Sequence, residues 1–294
     1  MSPTQDDQDD QDDEDSEISL PVTMVKRLTP PQPSGYGEFE INVEAVLRAG
    51  LPPYFSSITP APLTLTNVLK LPVGAKGGYI LTLDGQDVYA GKTDTRHGFR
   101  SRLARHFKTV QHRHNLSADT VSFKAVRIPV FSSFDAEAIL IRETRRVNPA
   151  ALPWNDTGFG SNDPGHRREG QEPAMFDKQH PIDIDRQLPF NFLRHGHINL
   201  RDALLRMKMN LPYTLRYESD LNRKGKPDFR AGHPDQRAAV IVVPPEPMTT
   251  RRFMQMALDV LPSGWMATIF PDRVILYKEP MVWRFGLERI TKGT

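Results

Sequence analysis

Between positions 79 and 155 the chain carries two tyrosines, an arginine and a histidine four residues apart, one glutamate in an otherwise apolar stretch, and an asparagine behind a tryptophan. Tyr79 ends the tripeptide Gly77-Gly78-Tyr79, and Tyr89 opens Tyr89-Ala90-Gly91, which Lys92 follows. A phenol ordinarily ionises near pH 10, so it accepts a proton at neutral pH only with help from its neighbours. In Arg102-Leu103-Ala104-Arg105-His106 the i, i+4 spacing puts Arg102 and His106 on one helical face. They form either a solvated basic stripe or a pair aimed at the tyrosines. Glu137 sits among Ala136, Ala138, Ile139, Leu140 and Ile141. It is either an acid that complements a helix N-terminus or the lone protein ligand of a divalent cation. Magnesium suits the second role, because it takes one or two carboxylates and keeps waters and phosphate oxygens as its other ligands.

These residues need a scaffold, and the local pattern supplies one. Gly78 to Leu83 and Gln86 to Ala90 are short apolar runs around Asp84-Gly85, a dipeptide that favours a two-residue hairpin turn. Phe99 to Phe107 has helical spacing, Thr120 to Val130 reads as a strand, and Asp135 to Arg145 reads as a helix with Ser133 as its cap. The order is ββαβα. Before it, Phe39 to Leu51 predicts a strand and a short helix closed by Gly50. After it, Trp154 to Gln187 is polar and rich in Gly, Pro, Asn and Asp, a length that in a compact domain is functional or disordered. Beyond that, Leu200 to Met209 and Thr250 to Val260 predict helices. Tyr213 to Glu218 and Ala238 to Val243 predict strands, and Met266 to Phe270 with Val274 to Tyr277 predicts a hairpin around Pro271-Asp272. The helix-then-strand pattern occurs twice, a faint sign of internal duplication. Three segments result: residues 1–35 as an acidic tail and Pro-rich linker, 36–190 as the unit bearing the reactive residues, and 191–294 as a small α+β unit for partner binding or self-association.

The two tripeptides, followed in order by Arg102, His106, Glu137 and Asn155, resemble the GIY-YIG endonuclease superfamily. Gly78 and Ala90 stand where that family usually has isoleucine or valine, at packing positions. Pro153-Trp154-Asn155 and Gly158-Phe159-Gly160-Ser161-Asn162-Asp163-Pro164-Gly165 are similar to its type II restriction branch. The resemblance spans roughly Asn42 to Gln187. It implies an α+β fold in which a small antiparallel sheet is flanked by helices. It also implies a metal-dependent DNA endonuclease acting in restriction or anti-phage defence, using Mg2+ for which Mn2+ substitutes. The implied roles are a proton acceptor at Tyr79 or Tyr89, a phenol pKa lowered by His106 and Lys92, a phosphate grip at Arg102, the metal on Glu137, and a phosphate or water bound by Asn155. Cutting both strands with one site per chain favours a homodimer. A less specific or structure-specific repair nuclease and a non-catalytic DNA-binding adaptor are the alternatives. His112, His114, His195 and His197 read as solvated loop histidines. His166, Arg167, Arg168, Arg142, Arg145 and Arg146 are candidates for phosphate contacts.

The formal net charge of +2 conceals a polarised chain. Nine acids fall within residues 1–17, and 27 remain afterwards against 38 Lys plus Arg, leaving the rest at about +11. Such a body attracts polyanions. The absence of cysteine removes disulfides and thiolate zinc sites and fits a reducing compartment. With no basic-then-apolar leader and no long apolar run, the expectation is a cytoplasmic protein. The acidic run, poor in apolar residues, is expected to stay unfolded and to compete with DNA for the basic surface. Deleting residues 1–17 should therefore tighten DNA binding at low salt and have little effect at high salt. A salt series of electrophoretic mobility shifts measures this, and equal affinities at low salt would remove the competition idea.

Overall fold

The structure, a computed structural model, describes residues 34–35, 42–93, 97–117, 119–128, 136–159, 169–188, 191–279 and 281–293. The acidic tail, the strand expected from Phe39 and the Ser133 cap lie outside them. The fold is mixed α+β, with antiparallel sheets flanked by helices.

The first unit is built on β1 (Ala61–Pro62), β2 (Gly77–Leu83), β3 (Gln86–Lys92) and β4 (Val121–Arg127), in the order β1-β4-β2-β3, all antiparallel. Asp84 and Gly85 both have positive φ (49° and 81°), as the tight turn between β2 and β3 requires. Alternation then sorts the side chains. Tyr79 faces across to Gly91 and Leu81 to Tyr89, while Ile80 faces Ala90 and Gly78 faces Lys92 on the other side. Helices α2 (Leu65–Lys70) and α3 (Phe99–Gln111) cover the tyrosine face, where Val68, Phe99, Leu103 and Val110 pack with Tyr79, Tyr89 and Phe123. Helices α1 (Val43–Ser57) and α4 (Ala136–Val147) cover the opposite face with Leu51, Phe55 and Leu140 on Ile80 and Ala90.

Gly50 does not stop α1, which continues through Pro52 and Pro53 to Ser57. Burial of Leu51 and Phe55, one turn apart, holds the helix past two residues that lack an N–H. The same face explains the small residues at 78 and 90. A Cβ on Gly78 would lie 3.0 Å from Leu140 Cδ1 and 3.6 Å from the Phe55 ring, so these two side chains occupy the space that a branched residue at 78 would fill.

The second unit contains a sheet of β10 (Glu288–Ile290), β8 (Met266–Ile269), β9 (Arg273–Tyr277) and β6 (Thr214–Tyr217), in that order, with β6 parallel to β9 and the other pairs antiparallel. A separate ribbon pairs β5 (Gly196–Asn199) with β7 (Val240–Val243). Each ribbon strand leads through a helix, α6 (Leu200–Asn210) or α8 (Thr250–Val260), to a strand of the larger sheet. The short helices α5 (Met175–Gln179) and α7 (Pro234–Ala238) complete the described set. The core of this unit reaches further back than residue 191. Ile182, Ile184 and Leu188 are buried in it, and Leu188 N–H donates to the Met248 carbonyl at 3.0 Å. Ile182 and Ile184, on either side of Asp183, are two buried isoleucines within a polar stretch. Among the described residues no helix is long and apolar enough to cross a membrane.

Gly78→Val should destabilise the protein by about 1–3 kcal/mol through overpacking. Leu140→Ala should also destabilise it, but the double variant should be more stable than the sum of the two losses implies. Urea unfolding of the four proteins measures the coupling, and strict additivity would show that the two positions do not share this space.

Candidate active site

Gly91 makes room for the phenol at the centre of the site. A Cβ there would lie 2.5 Å from the Tyr79 hydroxyl oxygen and 2.9 Å from the Tyr89 ring. With only hydrogen at that position, Tyr79 folds across its neighbour strand until it is fully buried, its ring centroid 6.2 Å from that of Tyr89. Helix α3 brings His106 to the same place, and the Tyr79 hydroxyl lies 2.9 Å from His106 Nε2. Arg102, one turn earlier on α3, is hydrogen-bonded to the Tyr79 phenol. Arginine only donates, so the phenol oxygen accepts from Arg102. The other ring nitrogen of His106, Nδ1, is buried and has no hydrogen-bond partner among the described residues.

Leaving that nitrogen without a partner costs on the order of 1–3 kcal/mol, and aromatic packing offsets part of it. Phe159 stacks on the imidazole with centroids 4.9 Å apart and planes 18° apart, and Tyr89 meets the imidazole at 5.3 Å, edge-on. Trp154 and Phe176 close on Phe159 from behind at 4.9 and 4.7 Å. Phe159 is the site residue that the motif reading passed over. It lies in the Gly-Phe-Gly loop, but only the folded chain shows it stacked on His106.

The electrostatics correct the expected activation of the phenols. Burial pushes the Tyr79 phenol well above its ordinary value, the adjacent Tyr89 adds to this, and Arg102 opposes it. Tyr89 is raised too, by burial and then by the Glu137 carboxylate, with Arg102 and a hydrogen bond from Tyr79 pulling the other way. His106 is held down to about 3 by burial, then by Arg102 and Arg105. A neutral imidazole does not lower a phenol's pKa by its charge, although it can receive the phenol's proton. Lys92 does not assist either. It is paired with Gly78, so strand alternation points it to the face away from both tyrosines.

Glu137 lies half-buried in the first turn of α4, near enough to raise both phenols. Among the described residues no three His, Asp or Glu side chains cluster as a metal cage. A single carboxylate fits a magnesium ion that keeps its waters, and does not fit a closed structural zinc site. Asn155 is engaged by the neighbouring strand. Its Oδ1 accepts from Ala90 N–H at 2.9 Å and its Nδ2 donates to Ala90 O at 2.8 Å, so the amide completes the open edge of β3.

Arg145 is likewise occupied, donating to the Leu152 carbonyl at 3.1 Å and pairing with Asp156 at 2.5 Å. Arg142 pairs with Glu44 at 3.2 Å and Arg146 with Glu143 at 3.0 Å. His166, Arg167 and Arg168 lie outside the described residues. His112 is buried, not solvated, and burial holds it down to about 4, whereas His114, His195 and His197 are exposed. No protein-family model matches the chain, and no curated protein matches it with significant sequence similarity.

The depressed pKa of His106 has a definite pH signature. Its folded value lies below its unfolded value of 6.5, so the unfolded chain takes the proton first. The stability from keeping it neutral is complete above pH 6.5 and declines as pH falls towards 3. Between pH 6.5 and 4.5, wild type should lose roughly 1 kcal/mol per pH unit relative to His106→Gln, as chemical denaturation at each pH would show. In NMR spectra the His106 ring should remain neutral down to pH 4.5, and titration near 6.5 would contradict this burial.

Proposed function

We propose that this protein is a magnesium-dependent DNA endonuclease of the GIY-YIG type, acting in restriction or anti-phage defence. The observation that carries the reading is the Tyr79–His106 hydrogen bond, with Arg102, Tyr89 and Glu137 all within electrostatic reach of that phenol. Phosphodiester hydrolysis needs a proton acceptor for the attacking water, positive charge on the phosphate and help for the leaving 3′ oxygen.

Tyr79 takes the proton from water and passes its own to His106 Nε2. The relay needs no preformed phenolate, which reconciles the raised phenol with a role as base. His106 is a weak base in the free protein because of burial, Arg102 and Arg105. A phosphate dianion analogue or a DNA phosphate beside Arg102 offsets the two guanidinium charges and raises the basicity of the imidazole at the moment of use. Arg102 also grips the scissile phosphate as its charge grows. Glu137 is the residue that would hold Mg2+, or Mn2+ in its place, and the cation would supply positive charge to stabilise the leaving group. Asn155 and Phe159 keep Tyr89 and His106 in place and touch no reacting atom. The basic body of the chain, about +11 beyond the tail, supports DNA as the polyanion. Double-strand cleavage would pair two copies as a homodimer, with the C-terminal unit as the candidate self-association or partner-binding surface.

Incubation of wild type, Glu137→Ala, Tyr79→Phe and Tyr89→Phe with plasmid DNA and magnesium tests the assignment. Wild type should give discrete fragments, Glu137→Ala and Tyr79→Phe should lose at least about a hundredfold in rate, and Tyr89→Phe should lose less. Smearing or nicking by wild type would indicate a less specific nuclease. Retained DNA binding without any cleavage would indicate an adaptor that keeps the fold.

A further inference from the structure

Arg113 stands two residues past the end of α3, the helix that carries His106. Its side chain is almost wholly buried and has four acceptors. Nε donates to the Thr109 carbonyl at 3.3 Å, and Nη1 serves Asp177 Oδ1 at 2.7 Å, the His180 carbonyl at 2.9 Å and the Pro271 carbonyl at 3.3 Å. The guanidinium carbon lies over the Phe176 ring, 5.3 Å from its centroid. Thr109 belongs to α3, Phe176 and Asp177 to α5, and Pro271 to the turn between β8 and β9. One cation therefore ties the helix of the reactive cluster to the C-terminal unit.

The ring that Arg113 covers is also the one that supports His106 from behind. Phe176 is buried and meets Phe159 at 4.7 Å with planes 65° apart, and Trp154 at 5.1 Å with planes 74° apart. Phe159 in turn lies on the His106 imidazole, 4.9 Å away and 18° from parallel. A functional imidazole is ordinarily oriented by a hydrogen bond at its second nitrogen. His106 Nδ1 has no such partner among the described residues, so the ring's orientation rests on the Nε2 contact with the Tyr79 hydroxyl and on aromatic packing. Whatever fixes Phe159 therefore fixes the imidazole.

We propose that Arg113 is a positioning residue: through Phe176 and Phe159 it holds the His106 imidazole against the Tyr79 hydroxyl, and through Pro271 it makes that alignment depend on the C-terminal unit. Its effect on rate rests on the nuclease reading, whereas its effect on geometry does not. Arginine suits the task, because a planar fork serves several acceptors while its face covers a ring, and the point charge of lysine does neither. Burial makes the tie cooperative, since a guanidinium out of water holds only while its acceptors stay in place. The C-terminal unit thus has a share in the reactive centre without lending it a reacting group.

NMR of the full-length protein without magnesium measures the geometry. The face of a phenyl ring shifts protons above it upfield, so the His106 ring protons, assigned by their loss in His106→Gln, should resonate upfield of those of the exposed His195 and His197. Arg113→Lys and Phe176→Leu, each studied below its melting transition, should move these resonances back towards the exposed values. Plasmid cleavage with magnesium adds the rate. Both side chains are buried away from DNA, so each variant should lower kcat about tenfold or more while KM stays within about twofold. The loss from Arg113→Lys should disappear where Phe159→Leu is already present, because the two positions act along one route. Unchanged His106 resonances in both folded variants, whatever their stability, or kcat losses that simply add to that of Phe159→Leu, would overturn the proposal. A wild type that shows the upfield shift, lost in the variants, yet never cuts DNA would sustain the positioning role and remove the nuclease reading instead.

Discussion

Where the β2–β3 hairpin crosses beneath α3, two strands must pass close enough for a phenol from one to lie over the backbone of the other. Gly91 has no Cβ, and any other residue would place an atom 2.5 Å from the Tyr79 oxygen. Once Tyr79 is in that position, its hydroxyl is directed at one turn of α3, where Arg102 and His106 are spaced to meet it. Displacing the ring would separate the phenol from the imidazole and open the aromatic packing of Tyr89, His106 and Phe159. The glycine is therefore a constraint on which the geometry of the whole cluster rests.

The edge of the sheet is the second requirement. β3 is an edge strand, and its outward backbone groups need partners. Asn155 satisfies those of Ala90, Arg145 ties the Leu152 turn back to α4, and Leu152 N–H reaches Asp87 O at 3.1 Å. This belt of short-range contacts places Trp154, which with Phe176 backs Phe159 against His106. The polar segment after the last helix of the first unit thus shapes the site from outside the sheet.

The two units also share a buried junction. Arg113 pairs with Asp177 at 2.7 Å, donates to the His180 carbonyl at 2.9 Å and the Pro271 carbonyl at 3.3 Å, and lies over the Phe176 ring. Pro271 belongs to the β8–β9 turn of the second unit, and Phe176 to the aromatic packing behind the first. A guanidinium buried among so many acceptors holds only if all of them remain in place. The C-terminal unit is accordingly packed onto the first, not strung from it on a linker.

The sequence alone determined whatever depends on a few neighbouring residues. Asp84-Gly85 specified the hairpin turn through backbone sterics, helical spacing marked Thr250 to Val260 to the residue, and i, i+4 geometry put Arg102 and His106 on one face. The α+β class follows from those elements. Strand alternation by itself puts Lys92, three residues after Tyr89, on the opposite face, and the register of β2 against β3 adds that Tyr79 lies away from it as well. Only the tertiary structure decided that α1 runs through Gly50, since burial of Leu51 and Phe55 outweighs local propensity. It also placed Ile182 and Ile184 in one buried cluster with α6 and α8, contacts with residues far along the chain. The direction of the phenol and imidazole shifts likewise came from burial, a sum over remote chain segments that no local spacing encodes. The bonds of Asn155 to Ala90, 65 residues away, were invisible for the same reason: residue type limits what a side chain can bond to, while the fold determines what it meets.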